Sequence, residues 1–390
     1  MISRMVCKNE PLEDKIPLKK IVFIITGLTT GGAEMMLLKL CSQIDKSRFS
    51  LSVISLRDSG NIGPRIEKLG IPVYSLGFRS SLLFIPLIIK LRKLLYELKP
   101  DLIQGWMYHG NLVASLFTGK ALVCWGIRSS LLDFNEIGGM SRWIIKIGKY
   151  LSHFPNCIIY NSNVSSRQHL EFGYFGGRAI VIPNGFDIGV MKPDENAYFL
   201  IRNEIGISGN VVLIGLVARF HPMKDHEIFL KAAELLLREL PDVYFMLVGS
   251  GVSKENAKLS DMITTLGLCD KVLLCGERSD IPKITAALDI ATSCSAWGEG
   301  FANSIGEAMS CGVPCVVTDV GDSAWIVGET GRVVPPGDPN ALAAAWKSLI
   351  AIGSDKRHAL GLLARKRIRN NFSLDTVARQ YEDIYFKLIK

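Results

Sequence analysis

The feature that most constrains the fold is a strand–helix alternation that runs through the chain twice. Short apolar runs alternate with segments of helical periodicity from Ile21 to about residue 182, and the pattern restarts at Val211 after a polar seam near 185–205. Strands that alternate with helices in this way form parallel sheets covered by helices. The sequence therefore predicts an α/β fold with two doubly wound domains, and a ligand site outside the carboxyl ends of the strands.

The length of the chain agrees with two domains. A chain of 390 residues suits two units of about 150–200 residues each. We divide it into a polar lead-in at 1–18, an N-terminal domain at 19–188 and a C-terminal domain at 189–371. A last helix at 372–390 is expected to brace the N-terminal domain.

Composition excludes several classes of protein. The longest apolar runs, such as 82–89, fall far short of the ~20 residues that span a bilayer. The N-terminus lacks the apolar core of a secretory signal. Nine cysteines in mostly apolar surroundings are typical of buried thiols in a reducing compartment, so we expect a cytoplasmic protein.

Positive charge is concentrated in the first half of the chain. Residues 1–190 hold 23 Lys and Arg against 13 Asp and Glu, whereas residues 191–390 hold 22 against 24. This asymmetry favours an anionic partner for the first half, either a phospholipid surface or a pyrophosphate-linked acceptor. A nucleic acid is disfavoured because the basic residues are dispersed and lack interleaved aromatics. The amphipathic helix predicted at 81–98 is either a core helix with a solvated basic face or a membrane-surface element.

The stretch 297–314 carries the most specific chemical signal. A glycine-flanked turn contains Glu299, either Asn303 or Ser304 can cap the helix that follows, and Glu307 lies about one turn inside that helix. Free backbone N–H groups at a helix N-terminus favour a phosphate. Two carboxylates beside it can accept hydrogen bonds from hydroxyl groups. A phosphate with sugar hydroxyls on both sides is a nucleotide sugar.

Several short motifs, each weak alone, occur together in a specific order. They are Gly-Gly-Ala-Glu at 31–34, Val-Ile-Pro-Asn-Gly at 181–185, Arg219 and Lys224, Val-Gly-Ser-Gly at 248–251, Glu299 with Glu307, and Gly-Arg-Val-Val-Pro-Pro at 331–336. In this order and spacing the chain resembles the retaining GT-B glycosyltransferases of family 4 over nearly its whole length. The resemblance implies two Rossmann-like domains that face a central cleft, with the donor mostly on the C-terminal domain and the acceptor mostly on the N-terminal one.

The resemblance also implies roles for individual residues. Arg219 and Lys224 would hold the donor diphosphate, Glu307 the ribose and Glu299 the donor sugar. His109, which follows a strand at 102–106 and precedes a helix predicted at 111–117, would lie over that sugar. The predicted catalytic residues are His109, Glu299, Arg219 and Lys224. The predicted donor-binding residues are Gly31, Gly32, Arg219, Lys224, Gly276, Glu299, Gly300, Phe301, Ala302, Asn303, Ser304 and Glu307, with Arg128 as a candidate for the acceptor.

The expected activity is transfer of a hexose or N-acetylhexosamine from a nucleotide diphosphate-sugar to a saccharide. The expected acceptor is a lipid-linked saccharide of polysaccharide or lipopolysaccharide biosynthesis. The chain contains no Asp-x-Asp, so we expect no metal and no cofactor. The expected location is the cytoplasm, either free or bound peripherally to the inner face of the cytoplasmic membrane. The alternatives are a non-catalytic nucleotide-binding scaffold of a polysaccharide assembly complex and a GT-B sugar epimerase.

One position departs from the family pattern. Trp325 stands about where the family carries an acidic residue, and Asp322 is the nearby carboxylate that could compensate.

Overall fold

The computed structural model describes residues 17–78, 84–116, 119–131, 139–207 and 211–390. Nearly all of the predicted lead-in at 1–18 therefore lies outside the described residues. Seven strands of the first half form one parallel sheet in the order β3-β2-β1-β4-β5-β6-β7. They are β1 (Lys19–Ile25), β2 (Phe49–Ser55), β3 (Val73–Ser75), β4 (Leu102–Trp106), β5 (Leu122–Ile127), β6 (Cys157–Tyr160) and β7 (Ala179–Val181).

Helices cover both faces of this sheet. They are α1 (Gly32–Gln43), α2 (Gly63–Glu67), α3 (Phe84–Leu98), α4 (Met107–Ser115), α5 (Gly139–Leu151) and α6 (Asn163–Phe172). Buried residues of α1 and α2 pack on one face, and buried residues of α3, α4 and α5 pack on the other. The helix predicted at 111–117 begins earlier, at Met107, directly after β4. The predicted start of α3 near Ser81 falls outside the described residues.

The second half forms a parallel six-stranded sheet in the order β10-β9-β8-β11-β12-β13. Its strands are β8 (Val212–Val217), β9 (Val243–Val248), β10 (Val272–Leu274), β11 (Ile290–Ser293), β12 (Cys315–Thr318) and β13 (Arg332–Val334). Its helices are α7 (Glu195–Glu204), α8 (His226–Leu237), α9 (Ala257–Thr265), α10 (Ile281–Ala286), α11 (Asn303–Ser310), α12 (Ser323–Val327), α13 (Pro339–Ala351) and α14 (Ser354–Asn371), and α15 (Leu374–Leu388) ends the chain. The predicted α/β fold with two parallel sheets is confirmed.

Helix α7 lies in the seam that the sequence suggested to be a polar stretch. Its periodicity is weak because Ala197 and Ile201 are its only buried apolar residues, and the third buried position is Arg202. A local signal does exist at its start, where the Asp194 side chain accepts a hydrogen bond of 3.0 Å from the Ala197 N–H. Apolar periodicity alone therefore missed a helix that its cap indicates.

The chain crosses between the two sheets at two adjacent segments. The Phe186 N–H donates to the Phe372 carbonyl and the Leu374 N–H donates to the Phe186 carbonyl, both at 2.9 Å. Before the second crossing, α14 packs on the core of the second sheet. After it, α15 packs against the first sheet, where Tyr381 and Tyr385 are fully buried. The last helix therefore returns to the N-terminal half.

Candidate functional site

The carboxyl ends of both sheets open onto one cleft of about 780 Å³. This arrangement follows from parallel strands, whose carboxyl ends lie at one edge of each sheet. Of the residues predicted from the sequence, eight line the cleft: Gly32, His109, Arg128, Arg219, Glu299, Gly300, Phe301 and Asn303. The other six do not line it: Gly31, Lys224, Gly276, Ala302, Ser304 and Glu307.

The N-terminus of α11 lies beside this cleft without a side-chain cap. The cap predicted at Asn303 or Ser304 is wrong, because the capping position is Ala302, which has no side chain able to accept a hydrogen bond. The Asn303 side chain instead accepts a hydrogen bond of 2.8 Å from the Asn184 Nδ2. Within the described residues the first backbone N–H groups of α11 thus have no side-chain acceptor, which is the arrangement that favours an anion.

Glu299 is held in place by two neighbours. Lys224 forms an ion pair with the Glu299 Oε1, and the Ser295 hydroxyl donates to the same oxygen at 2.7 Å. Glu299 is buried, with only 7% of its surface exposed, although it lines the cleft. Both of these contacts are made to Oε1, and neither is made to Oε2. Lys224 lies behind Glu299 instead of on the cleft wall.

Arg219 is an exposed cation on the cleft wall. It follows β8 and lies on the same wall as the turn that contains Glu299. Its side chain makes no hydrogen bond or ion pair with any other part of the chain that the structure describes. A guanidinium without a protein partner keeps its full set of donors for an anionic ligand.

Glu307 lies in the second turn of α11, on the side that faces Lys39 of α1. Burial raises the pKa of its carboxyl, and the nearby positive charge of Lys39 on α1 acts in the opposite direction. Its carboxylate has no hydrogen-bond partner within the described residues. A ligand that donated hydroxyl hydrogens to this carboxylate would stabilise its charged form.

His109 lies in the first turn of α4, not in a loop before the helix as its sequence position suggested. Burial and the charge of Arg57 lower the pKa of His109, so its ring is neutral at physiological pH. The neighbouring Tyr108, which was not predicted, also lines the cleft and lies 2.9 Å from the Nε2 of His169. The Nδ1 of His169 lies 2.7 Å from the Ser165 carbonyl and must donate to it, so Nε2 accepts the Tyr108 hydroxyl hydrogen.

Arg128 lines the cleft, and two of its guanidinium nitrogens bond other parts of the protein. Its guanidinium donates to the Tyr381 hydroxyl at 2.9 Å and to the Asn184 side chain, and it lies 4.6 Å over the Trp106 ring. Because Asn184 also bonds Asn303, this network connects α15, the crossing segment and α11. Arg128 therefore has a structural role in addition to the contact with the acceptor that the sequence predicts.

Asp322 joins the two halves of the protein. Its carboxylate accepts hydrogen bonds from the N–H groups of Asn163 at 2.6 Å and Val164 at 3.1 Å, so it caps α6 of the other half. Burial raises the pKa of this carboxyl. Trp325 packs edge-on against Phe372, 5.0 Å between ring centroids. Asp322 is therefore engaged with the start of α6.

Asn161 is a cleft residue that the sequence reasoning missed. It is buried, with 4% of its surface exposed, and lines the cleft at the end of β6. Its Nδ2 donates to the Arg128 carbonyl at 3.4 Å, and its Oδ1 has no partner within the described residues. Nearby, the Ser130 hydroxyl donates to the Gly298 carbonyl at 3.2 Å. Asn161 directly follows β6 and Ser130 lies three residues after β5, and this position after a strand was the signal that could have found them.

The predicted glycines Gly31, Gly32 and Gly276 have different surroundings. A methyl group at Gly32 would lie 3.5 Å from the Asn303 Nδ2, so this glycine is where α1 meets the opposite wall. Gly31 makes room for the Glu34 carboxylate instead of for the cleft. Gly276 has a φ of +64° and follows β10, where its carbonyl accepts a hydrogen bond of 2.8 Å from the Gly249 N–H.

Two family descriptions match the chain, one on each half. Glycosyltransferase Family 4 matches residues 30–190, and Glycosyl transferases group 1 matches residues 211–351. The chain belongs to the GT-B glycosyltransferases of family 4. The first description covers most of the half that contains the seven-stranded sheet, and the second covers most of the half that contains the six-stranded sheet.

Similar proteins come from several bacteria. UDP-Gal:alpha-D-GlcNAc-diphosphoundecaprenol alpha-1,3-galactosyltransferase of Escherichia coli is 29% identical over 214 residues, 54% of each chain. Putative glycosyltransferase EpsF of Bacillus subtilis (strain 168) is 25% identical over 327 residues, 77% of this chain and 79% of that one. The chain thus spans about half the length of the first of these relatives.

A solved structure extends the likeness to the whole fold. Anabaena Alr3699/HepE in complex with UDP superimposes with a TM-score of 0.83 at 25% identity, covering 94% of this chain and 100% of that one. Another structure of the same protein is a complex with UDP-glucose. The fold of this chain is therefore the GT-B fold predicted from its sequence.

Proposed function

We propose that this chain is a retaining glycosyltransferase that moves a hexose or N-acetylhexosamine from a UDP-sugar to a saccharide acceptor. The observation that carries the proposal is the pairing of Arg219 with the uncapped N-terminus of α11 on one wall of the cleft. A free guanidinium and free backbone N–H groups together suit a diphosphate. The complexes of Alr3699/HepE with UDP and UDP-glucose support the same class of ligand.

The remaining predicted residues take roles around that diphosphate. Lys224 and Ser295 fix Glu299, whose Oε2 accepts a hydroxyl of the donor sugar. Glu307 accepts the ribose hydroxyls. His109, neutral because burial lowers its pKa, approaches the sugar from the opposite wall as a hydrogen-bond partner. On that wall the Asn161 Oδ1 accepts a hydroxyl of the acceptor.

Transfer with retention proceeds on one face of the sugar. The departing phosphate oxygen accepts the proton of the acceptor hydroxyl as the new glycosidic bond forms, so the protein supplies position and charge stabilisation. Arg219 and the N-terminus of α11 stabilise the negative charge that develops on the leaving diphosphate. Within the described residues no group of three or more His, Cys, Asp or Glu could hold a metal ion. Metal independence stays a prediction.

The acceptor is proposed to be a lipid-pyrophosphate-linked saccharide of polysaccharide or lipopolysaccharide biosynthesis. The Escherichia coli relative is named for an acceptor joined to diphosphoundecaprenol. The positive charge of residues 1–190 suits such an anionic acceptor.

Titration calorimetry with UDP and GDP, followed by proton NMR of UDP-glucose incubated with the protein, tests the proposal. We expect UDP to bind, the Arg219→Ala variant to lose about tenfold in affinity, and released glucose to appear first as the α anomer. Lys347→Ala, on the exposed surface of α13, is the matched control and should bind UDP normally. Binding without any turnover would instead indicate a scaffold, and release of an epimerised sugar would indicate an epimerase.

A further inference from the structure

A second cavity lies at the opposite edge of the six-stranded sheet. Its volume of about 360 Å³ is within the range of about 300–1,000 Å³ that is usual for small-molecule sites. Asp289 lines it directly before β11 and Pro314 lines it directly before β12, so the cavity is at the amino ends of these strands. Among the described residues, none lines both this cavity and the cleft. The cavity can therefore hold a ligand other than the substrates of the cleft.

Arg357 of α14 supplies a buried positive charge to this cavity. It lines the cavity with only 8% of its surface exposed. Its Nη2 lies 3.4 Å from the Asp289 Oδ1, and its side chain makes no other hydrogen bond within the described residues. The Asp289 Oδ2 already accepts from the Arg202 guanidinium and from the Leu213 N–H. One carboxylate thus faces two buried guanidinium groups, which leaves a net positive charge and unused donors of Arg357 for an anion.

The start of α14 adds backbone donors beside Arg357. This helix of 18 residues begins after Gly353, and within the described residues no side chain caps it. Its first residue, Ser354, lines the cavity, as does His358 next to Arg357. A cation near a helix N-terminus lies in an unfavourable field, and a bound anion removes that conflict. A phosphate suits the place because it accepts hydrogen bonds from a guanidinium and from backbone N–H groups together.

The α7 side of the cavity has a different chemistry. Tyr198 and Phe199 line it with aromatic rings, and 64% of the Phe199 surface is exposed. Aromatic rings offer flat apolar faces on which the carbon face of a pyranose can pack. Asp194 and Glu195 line the same side with carboxylates, which accept hydrogen bonds from hydroxyl groups. These carboxylates disfavour a ligand that is anionic throughout and favour one with a phosphate at one end and hydroxyl groups at the other.

We propose that this cavity binds a monosaccharide phosphate. Arg357 and the N-terminus of α14 hold the phosphate, and the sugar ring packs against α7, where Asp194 and Glu195 accept its hydroxyl hydrogens. The site goes beyond the proposed function and does not depend on it. For a hexose phosphate, the usual affinity per non-hydrogen atom gives a Kd of about 0.3 mM.

Titration calorimetry of the full chain tests this site. The probes are glucose 1-phosphate and the 6-phosphates of glucose, mannose and N-acetylglucosamine, each added in the presence of excess UDP. At least one should bind with a Kd of about 0.3 mM, inorganic phosphate should bind about tenfold more weakly, and glucose should not bind measurably. The Arg219→Ala variant, altered in the cleft, should give the same Kd. Equal affinity in that variant separates this site from the proposed function, whether or not UDP binds in the cleft.

A new carboxylate at the start of α14 should abolish this binding without harming the fold. Ser354 is exposed, and Ser354→Glu places a negative charge where the field of the helix stabilises it but where it repels a phosphate. We expect its affinity for the hexose phosphate to fall at least tenfold at an unchanged melting temperature. Arg357→Met should lower the affinity by a similar factor.

The matched control is Ala257→Glu, at the exposed first residue of α9, which packs on the other face of the sheet. This variant adds the same charge to another helix N-terminus and should bind the hexose phosphate like the wild type. Absence of binding for all four sugar phosphates at about 10 mM would overturn the proposal. So would a Ser354→Glu variant that binds as tightly as the control, or loss of binding in Arg219→Ala, which would place the ligand in the cleft.

Discussion

Removal of the Lys224 ammonium should destabilise the C-terminal half measurably, whatever its effect on catalysis. In Lys224→Ala the Glu299 carboxylate keeps only the hydrogen bond from the Ser295 hydroxyl. Side chains of Glu299 and Lys224 are 9% and 19% exposed, so the carboxylate is largely shielded from water but not fully buried. Removing one partner of a buried polar group lowers stability by about 1–3 kcal/mol. Removing one partner of a fully buried ion pair lowers it by about 3–5 kcal/mol.

We therefore expect a loss of about 2 kcal/mol in the free energy of unfolding. For a domain of this size that loss corresponds to a fall of about 4–8 °C in the melting temperature. Glu299→Gln should cost less, about 1 kcal/mol, because the amide keeps an oxygen for Ser295 and frees Lys224 to reach water. The double variant Lys224→Ala/Glu299→Gln should cost less than the sum of the two single changes.

Denaturant unfolding of the four proteins in this cycle measures the coupling directly. The control is Lys347→Ala, which removes an ion pair with Glu239 whose side chains are 51% and 59% exposed. That change should cost less than about 0.5 kcal/mol. If the costs at Lys224 and Glu299 add within about 0.3 kcal/mol, the ion pair does not support Glu299 and the reasoning is refuted.

Three further changes test the packing and the charges around the cleft. Gly306→Ala places a methyl group into the Phe186 ring and should cost about 1–3 kcal/mol or more, seen as a lower melting temperature, whereas the control Gly139→Ala, at an exposed helical glycine with open space around it, should leave the melting temperature unchanged. Glu307→Gln should stabilise the protein at pH 7, because burial raises the pKa of Glu307 above its unfolded value. The stability of the wild type falls as the pH rises from the unfolded pKa of this carboxyl to its folded pKa. In melts at several pH values the greater stability of the variant should vanish below about pH 4, and the variant should bind UDP more weakly than the wild type. Asp322→Ala removes the cap of α6 from the other half and should increase the radius of gyration of the free protein in X-ray scattering; an unchanged radius would mean that Asp322 does not hold the halves together.

The fold could be predicted because each strand is an apolar run with a clear end. The fourth strand, for example, is buried along its whole length and was placed at 102–106, where the structure has it. The alternation of such strands with helices dictates parallel sheets, and parallel sheets dictate that the residues after the strands share one edge. Arg219 and Glu299 both follow strands of the second half, and the resemblance to family 4 assigned both of them to the donor.

Helix boundaries at the site were harder to place because local capping patterns compete with tertiary contacts. Asn303 is a good capping residue by type, yet its side chain bonds Asn184, which is 119 positions away in sequence. His109 was expected before a helix, but α4 starts directly after β4 and includes it. In both places the sequence showed the correct residue beside the cleft and the wrong local geometry.

Contacts between residues that are distant in sequence are invisible to local sequence patterns. Asp322 caps a helix 159 positions away, and the partner of Lys224 lies 75 positions away. Both residues are charged, so their types alone fit a ligand site as well as a structural contact. Only the three-dimensional arrangement shows that Asp322 bonds α6 and that Lys224 bonds Glu299.

The turn at 298–300 links these contacts to the proposed chemistry. Its Gly298 carbonyl accepts the Ser130 hydroxyl of the opposite wall, and its Gly300 carbonyl accepts the Asp322 N–H at 3.0 Å. Glu299, between these two glycines, is the residue proposed to contact the donor sugar. A change that moves this turn therefore alters the donor wall and the contact between the halves together. Because Ser130 lies beside Asn161 on the wall proposed for the acceptor, the two substrate sites share this turn as a common boundary.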